Sequence, residues 1–167
     1  GNEWVLTNNG LGMLAAGNRT IASYFVETAK KEKGKGQFFY GDQEYGNERF
    51  FGSDHGRIWR YQKQGGQFEL LQLPASSRIV ELKKMNEQAI LIVTKTDGFF
   101  VYDVASKGME HYEASRLPKA PVRSAYMDKY SEIWFEQEVP GTVAHFNAKT
   151  KLLKTEVISV EPTSTDR

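Results

Sequence analysis

The 167-residue chain sets 22 Lys and Arg against 21 Asp and Glu, a net charge of +1, and has no cysteine. So even a balance provides no global field to recruit nucleic acid or an anionic bilayer, and the lack of thiols excludes disulfides and thiolate metal sites. With 40% hydrophobic and 13% aromatic residues, the chain has the apolar content for a folded β-rich core, while its longest apolar runs are too short to cross a bilayer as a helix.

Residues 3–7 read as a strand, with Trp4 and Leu6 on one side and Val5 on the other. Residues 11–16 continue past Gly10, Gly17-Asn18-Arg19 reverses the chain, and residues 20–27 close a unit that lacks a first strand. The Lys-rich stretch 30–36 reads as a solvated connection. A second unit takes strands at 37–40, 49–52, 58–61 and 68–72; a third at 78–83, 89–94, 99–103 and 109–113; a fourth at 122–127, 132–136, 142–147 and 154–158. Leu73-Pro74 and Leu117-Pro118 end the second and third units, and no segment keeps a helical period.

The units are copies of one another. Residues 48–61 run as apolar strand, Ser53-Asp54-His55-Gly56 turn and return strand, and weaker versions recur at Gly10, Gly98 and Gly141. Trp4, Phe50, Ile92 and Phe135 each stand six residues before one of these glycines. A period of about 40 to 45 residues in a strand-rich chain points to β-propeller blades. The expected fold is all-β and propeller-like, with about four blades of four antiparallel strands and the first incomplete. Units fall near 1–29, 34–74, 77–118 and 121–159, and residues 160–167 form a linker or tail. A four-bladed ring, a piece of a larger ring and a ring completed by association all satisfy this pattern. The piece is favoured, with self-association through open blade edges as its consequence.

Asp128-Lys129-Tyr130-Ser131-Glu132-Ile133-Trp134-Phe135, Thr7-Asn8-Asn9-Gly10-Leu11, Phe50-Phe51-Gly52-Ser53-Asp54-His55-Gly56 and Thr94-Lys95-Thr96-Asp97-Gly98-Phe99-Phe100-Val101-Tyr102-Asp103 resemble the two-component regulator propeller repeat. Leu6 and Val93 depart from the glycine that the repeat prefers, and the fourth unit has no Gly-Thr pair. The resemblance implies the periplasmic sensor part of a bacterial hybrid two-component protein, responding to a carbohydrate or oligosaccharide, with the membrane span and kinase elsewhere in the parent.

Catalytic signatures are absent from the sequence. His55, His111 and His145 are too widely spaced for a local metal motif, there is no nucleophile elbow or phosphate-binding loop, and pairs such as Asp42 with Glu44 or Glu136 with Glu138 carry no acid-base assignment. No cofactor, metal, catalytic residue or nucleic-acid partner is expected, and a non-enzymatic sensor is preferred over a glycan lyase, a lactonase or a plain scaffold. Asp42 and Asp128 are read as turn residues bonding the backbone. Trp4, Phe50, Phe51, Trp134 and Phe135 are assigned to the core between blades, whereas Tyr45, Trp59, Tyr61, Tyr102 and Tyr130 remain candidates for stacking on a sugar ring. The turns after the second strands supply the expected ligand contacts: Asn8, Asn9, Asp54, His55, Arg57, Lys95 and Asp97.

Overall fold

A computed structural model describes residues 2–7, 10–24, 38–113, 121–139 and 141–157. Among them every regular element is a strand. β1 (Glu3–Thr7), β2 (Gly10–Leu14) and β3 (Ile21–Tyr24) form the first sheet, and β4 (Phe39–Tyr45), β5 (Glu48–Ser53), β6 (Arg57–Gln62) and β7 (Gln67–Gln72) the second. The third contains β8 (Ile79–Lys84), β9 (Ala89–Thr94), β10 (Phe99–Asp103) and β11 (Met109–Tyr112). The fourth contains β12 (Val122–Met127), β13 (Glu132–Gln137), β14 (Thr142–Asn147) and β15 (Leu152–Val157). All four are antiparallel meanders in chain order, as the repeat predicts, and the first has three strands. The Lys-rich connection at 30–36 and the tail at 160–167 lie outside the described residues.

Period-two alternation decides how the sheets stack. Phe51 faces the first sheet, in a cluster with Leu11, Phe39 and Tyr61, while its neighbour Phe50 faces the third, with Ile58, Ile79, Ile90, Ile92 and Phe100. In β9, Ile90 and Ile92 look back at the second sheet, and Leu91 and Val93 look forward to Ile133, Phe135 and Phe146 of the fourth. All six residues of β9 are buried, because a sheet enclosed on both sides needs apolar residues on both faces. β1 and β13 alternate instead, since the first and fourth sheets each bury one face. Their outer faces carry Val5, Ile21 and Tyr126 at 52%, 57% and 63% exposure, so the stack is propeller-like and open, not a closed ring.

Register corrects the alignment made on the turn glycines. The first residues of β4, β8 and β12 pair with Ser53, Thr94 and Gln137, which makes Phe50, Leu91 and Trp134 equivalent, and Phe51, Ile92 and Phe135. The turns after β5 and β9 enclose the same number of residues, but Gly98 stands opposite Thr94 where Arg57 stands opposite Ser53, one position later than Gly56. Counting six back from the glycine therefore matches residues on opposite faces. Trp134 accordingly faces outward, stacked 4.7 Å from His145, and does not join the core between sheets. Asp42 is also reassigned. It lies within β4 opposite Phe51, its carboxylate accepting from Arg49 Nε at 2.6 Å, whereas Asp128 does cap its turn through the Tyr130 and Glu132 amides.

First strands of successive sheets run side by side, and each carries a β-bulge at its start, between Phe39 and Gly41, Ile79 and Glu81, and Val122 and Ser124. Gln43 of β4 accepts from the Lys84 amide of β8 at 2.8 Å, and Glu81 of β8 accepts from the Ala125 backbone of β12. Burial raises the Glu81 pKa above its ordinary 4.5, against the pull of Lys83 and the Ala125 bond.

Two stability outcomes follow from this packing. A Cβ on Gly52 would stand 2.6 Å from Ile79 Cγ2, so Gly52→Ala should cost about 1–3 kcal/mol in denaturant melts, with much of it recovered in the double variant with Ile79→Ala. Because folding raises the Glu81 pKa, its contribution to stability is greatest below pH 4.5 and is lost as pH rises through the elevated value. Glu81→Gln should raise the thermal midpoint at pH 7 and flatten its dependence on pH between 4.5 and 7, which melts across that range would check.

Candidate functional site

In the first three sheets the strand before the glycine turn ends in a hydroxyl residue that ties down that turn. Thr7, Ser53 and Thr94 donate from Oγ to the carbonyls of Gly10, Arg57 and Gly98 at 2.8, 3.2 and 2.8 Å. The turns are then sewn to the segments entering their own sheet and the next. Gly56 N donates to Ser77 O at 2.9 Å, Lys95 N to Arg78 O at 3.0 Å, Val122 N to Lys95 O at 2.9 Å and Glu138 N to Pro121 O at 2.9 Å. Gly56 has φ +64, and a Cβ there would lie 2.6 Å from the Ala75 carbonyl, which explains the glycine. One end of the stack thus becomes a continuous surface built from turns and linkers.

The described residues expected to contact ligand all lie at this end. Asn8 and Asn9 fall outside the described residues. Asp54 accepts from the Tyr40 hydroxyl at 3.4 Å through Oδ2, and from Arg57 Nε at 3.2 Å through its carbonyl. His55 sits in the left-handed region at φ 58, its carbonyl accepting from Gln72 Nε2 at 2.8 Å. Lys95 crosses from the third sheet to the fourth, its Nζ 2.8 Å from Glu138. Asp97 faces the linker: Oδ2 accepts from the Ser76 and Ser77 amides at 3.0 and 2.7 Å, and its carbonyl lies 2.8 Å from His111 Nε2. Asp54 and Arg57 share one turn, Lys95 and Asp97 another.

Tyr40, Arg78 and Glu138 join this surface without a sequence signal. Tyr40 is the extra residue of the β4 bulge, which turns its side chain off the sheet face; it is 37% exposed, with its ring 6.4 Å from Phe38 at 19°. Arg78 lays its guanidinium 4.9 Å from the Tyr40 centroid, and its Nε is buried without a hydrogen-bond partner. Burial and then the Asp54 charge raise the Tyr40 pKa, so the phenol stays protonated at neutral pH and able to donate. Lys95 is the main cause holding Glu138 below its ordinary value, with Arg123 and Arg78 adding to it. The arrangement offers a flat aromatic pair, a phenol and charged hydrogen-bonding groups of both signs, which suits a polar, hydroxyl-rich ligand.

Other candidates from the sequence are placed elsewhere. Tyr61 and Tyr102 are core residues at 5% and 3% exposure, and Trp59 packs against the same cluster as Tyr61. Tyr45 packs against the core between the second and third sheets, while Tyr130 is exposed in the turn after β12. The three histidines stand apart: His55 on a turn, His111 stacked on Phe100 at 4.1 Å, and His145 against Trp134 on the outer face of the fourth sheet. Among the described residues no group of three or more His, Cys, Asp or Glu could hold a metal ion. A separate cavity of about 220 Å³ lies near the start of β1, lined by Asn2, Trp4, Glu44, Arg49, Tyr61 and Lys63.

The fold and this end surface define an open β-propeller-like arc of four sheets. Solved structures similar to it include two extracellular domains from B. thetaiotaomicron, each described as belonging to a putative hybrid two component system. One is 16% identical with TM-score 0.68, over 98% of this chain and 23% of that one; the other is 18% identical with TM-score 0.72, over 96% and 21%. A β-propeller domain from Myceliophteria thermophila is 8% identical with TM-score 0.73, over 96% of this chain and 58% of its own. The chain thus spans about a quarter or less of the two-component domains it matches. No protein-family model matches the chain, and no curated protein matches it in sequence. At these identities the likeness is one of fold.

Asp97 provides a direct test of how the end surface is held. Burial pushes its pKa up, but the Ser77 and Ser76 hydrogen bonds outweigh that and leave it lowered. Its contribution to stability is therefore present at neutral pH and lost as pH falls through the lowered value. Asp97→Ala should cost about 1–2 kcal/mol at pH 7, because two linker amides lose their acceptor, and the difference from wild type should shrink in acid, read by urea unfolding at each pH.

Proposed function

We propose that this chain is a non-enzymatic part of an extracytoplasmic sensor in a bacterial two-component system, and that the parent protein responds to a carbohydrate or oligosaccharide. The observation that carries this reading is the match in fold, over nearly the whole chain, to extracellular domains of hybrid two component systems, joined to the repeat motifs that resemble the regulator propeller. The units near 1–29, 34–74, 77–118 and 121–159 act as blades of a larger arc in the parent. Open blade edges provide a route to self-association.

The ligand surface in this reading is the turn end, where Asp54, His55, Arg57, Lys95 and Asp97 are joined by Phe38, Tyr40 and Arg78, and Asn8 and Asn9 belong to the same set of turns. A sugar ring stacks on Tyr40 and Phe38 while its hydroxyls bond Asp54 and the Arg78 guanidinium. The wide separation of the histidines supports a role in binding over catalysis, because acid-base chemistry needs such groups to converge on one reacting atom.

The test is a thermal-shift and calorimetric screen of neutral and acidic oligosaccharides on the parent sensor domain. A true ligand raises the melting midpoint. Tyr40→Ala and Arg78→Ala should each weaken binding about ten-fold or more, about 1.4 kcal/mol, without lowering the ligand-free midpoint as Gly52→Ala does. A parent domain that responds to none of the panel, or variants that bind as wild type, would overturn the assignment.

A further inference from the structure

Three segments meet at the turn end, and each brings a cation. Arg78 ends the linker into β8, Lys95 begins the turn after β9, and Arg123 is the extra residue of the β12 bulge. Backbone hydrogen bonds hold them side by side: Lys95 N donates to Arg78 O at 3.0 Å, and Val122 N, next to Arg123, donates to Lys95 O at 2.9 Å. Glu138 N donates to Pro121 O at 2.9 Å, which adds the residue after β13 to the same group. The fold, more than the reach of long side chains, places these charges together.

Carboxylates answer two of the three. Lys95 Nζ lies 2.8 Å from Glu138, and Arg123 Nη1 lies 3.3 Å from Glu136. Arg78 takes part in none of the ion pairs among the described residues: its guanidinium lies over the Tyr40 ring, and its Nε is buried without a hydrogen-bond partner. The aspartates of the surface are engaged elsewhere, Asp97 Oδ2 by the Ser76 and Ser77 amides and Asp54 Oδ2 by the Tyr40 hydroxyl at 3.4 Å. The Arg78 charge is felt at Tyr40 on one side and at Glu138 on the other, which sets the guanidinium between the aromatic pair and the bridge from Lys95 to Glu138. A cation held there by its neighbours lacks a counter-charge.

We propose that the turn end selects an acidic saccharide, whose carboxylate binds the Arg78 guanidinium on the side of Lys95 and Arg123. This rests on the sugar reading above and adds a charge to it. A guanidinium presents its donors in a planar fork that matches a carboxylate, and such charge-assisted bonds are about twice as strong as neutral ones. The ring hydroxyls are left to Asp54 and to the Tyr40 phenol. Glu138 is the internal competitor: it holds Lys95 in the free protein, and a ligand carboxylate must share that ammonium or displace it. A neutral sugar leaves Arg78 as it stands, without an anion.

The probes are matched disaccharides that differ only in a carboxylate in place of a primary alcohol, glucosyl against glucuronyl and galactosyl against galacturonyl, titrated calorimetrically into the intact 167-residue chain. In at least one pair the acid should bind about ten-fold more tightly at low salt, and its advantage should shrink as salt is raised to about 0.5 M. Arg78→Gln should bring the two members level, while Arg78→Lys, which keeps the charge but not the fork, should retain part of the preference. Glu138→Gln, at an exposed position, frees Lys95 and should widen the preference several-fold. A neutral member bound as tightly as its acid would overturn the proposal and leave the sugar reading standing. A preference that survives Arg78→Gln would overturn it as well, because the acid would then be read elsewhere. If no member of either pair binds, both readings fall.

Discussion

Second strands that send bulky side chains to both faces hold this molecule together. β5 gives Phe51 to one interface and Phe50 to the next, and β9 gives Ile92 and Leu91 in the same way. A sheet with two apolar faces has no stable existence alone in water, so each must be enclosed by neighbours, and the chain has to stack. The chemistry differs between interfaces. Aromatic rings fill the first and third, with Trp4 against Phe51 at 4.8 Å and Phe99 against Phe135 at 4.9 Å, whereas Ile58, Ile79, Ile90 and Ile92 dominate the second.

Close stacking at the start of the first strands has a second consequence, for the turn end. Gly52 lets Ile79 approach where Val93 meets the fourth sheet with a larger side chain, so departures from the repeat are matched by what stands opposite them. The bulge of β4 also makes Tyr40 the extra residue, with its hydroxyl at Asp54 and its ring under Arg78 at the turn end. Packing and the turn-end surface are coupled there, because the same linkers that seat Ile79 and Val122 carry Arg78 and bind Asp97 and Lys95.

Fifteen strands and the short first sheet were legible in the chain because alternation, turn glycines and a fixed period all report local geometry. The register error had a local cause as well: a glycine marks a turn but not its own place within it, and one residue exchanges the two faces. Trp134 was assigned to the core together with Phe135 because both lie in the strand before the turn, and the structure turns it outward onto His145. Asp54, Arg57, Lys95 and Asp97 could be anticipated as turn residues at one end of the stack. Tyr40 could not, since nothing in Phe38-Phe39-Tyr40-Gly41 announces a bulge.

The amino-acid sequence by itself determined that the chain is all-β, that four similar units follow one another and that the first is short by a strand. These depend on contacts between residues close in the chain. Only the tertiary structure decided which face each aromatic takes and that Arg78 lies on Tyr40. Those arrangements join residues from different sheets, and their geometry is set by how one sheet packs on the next, which no local pattern encodes.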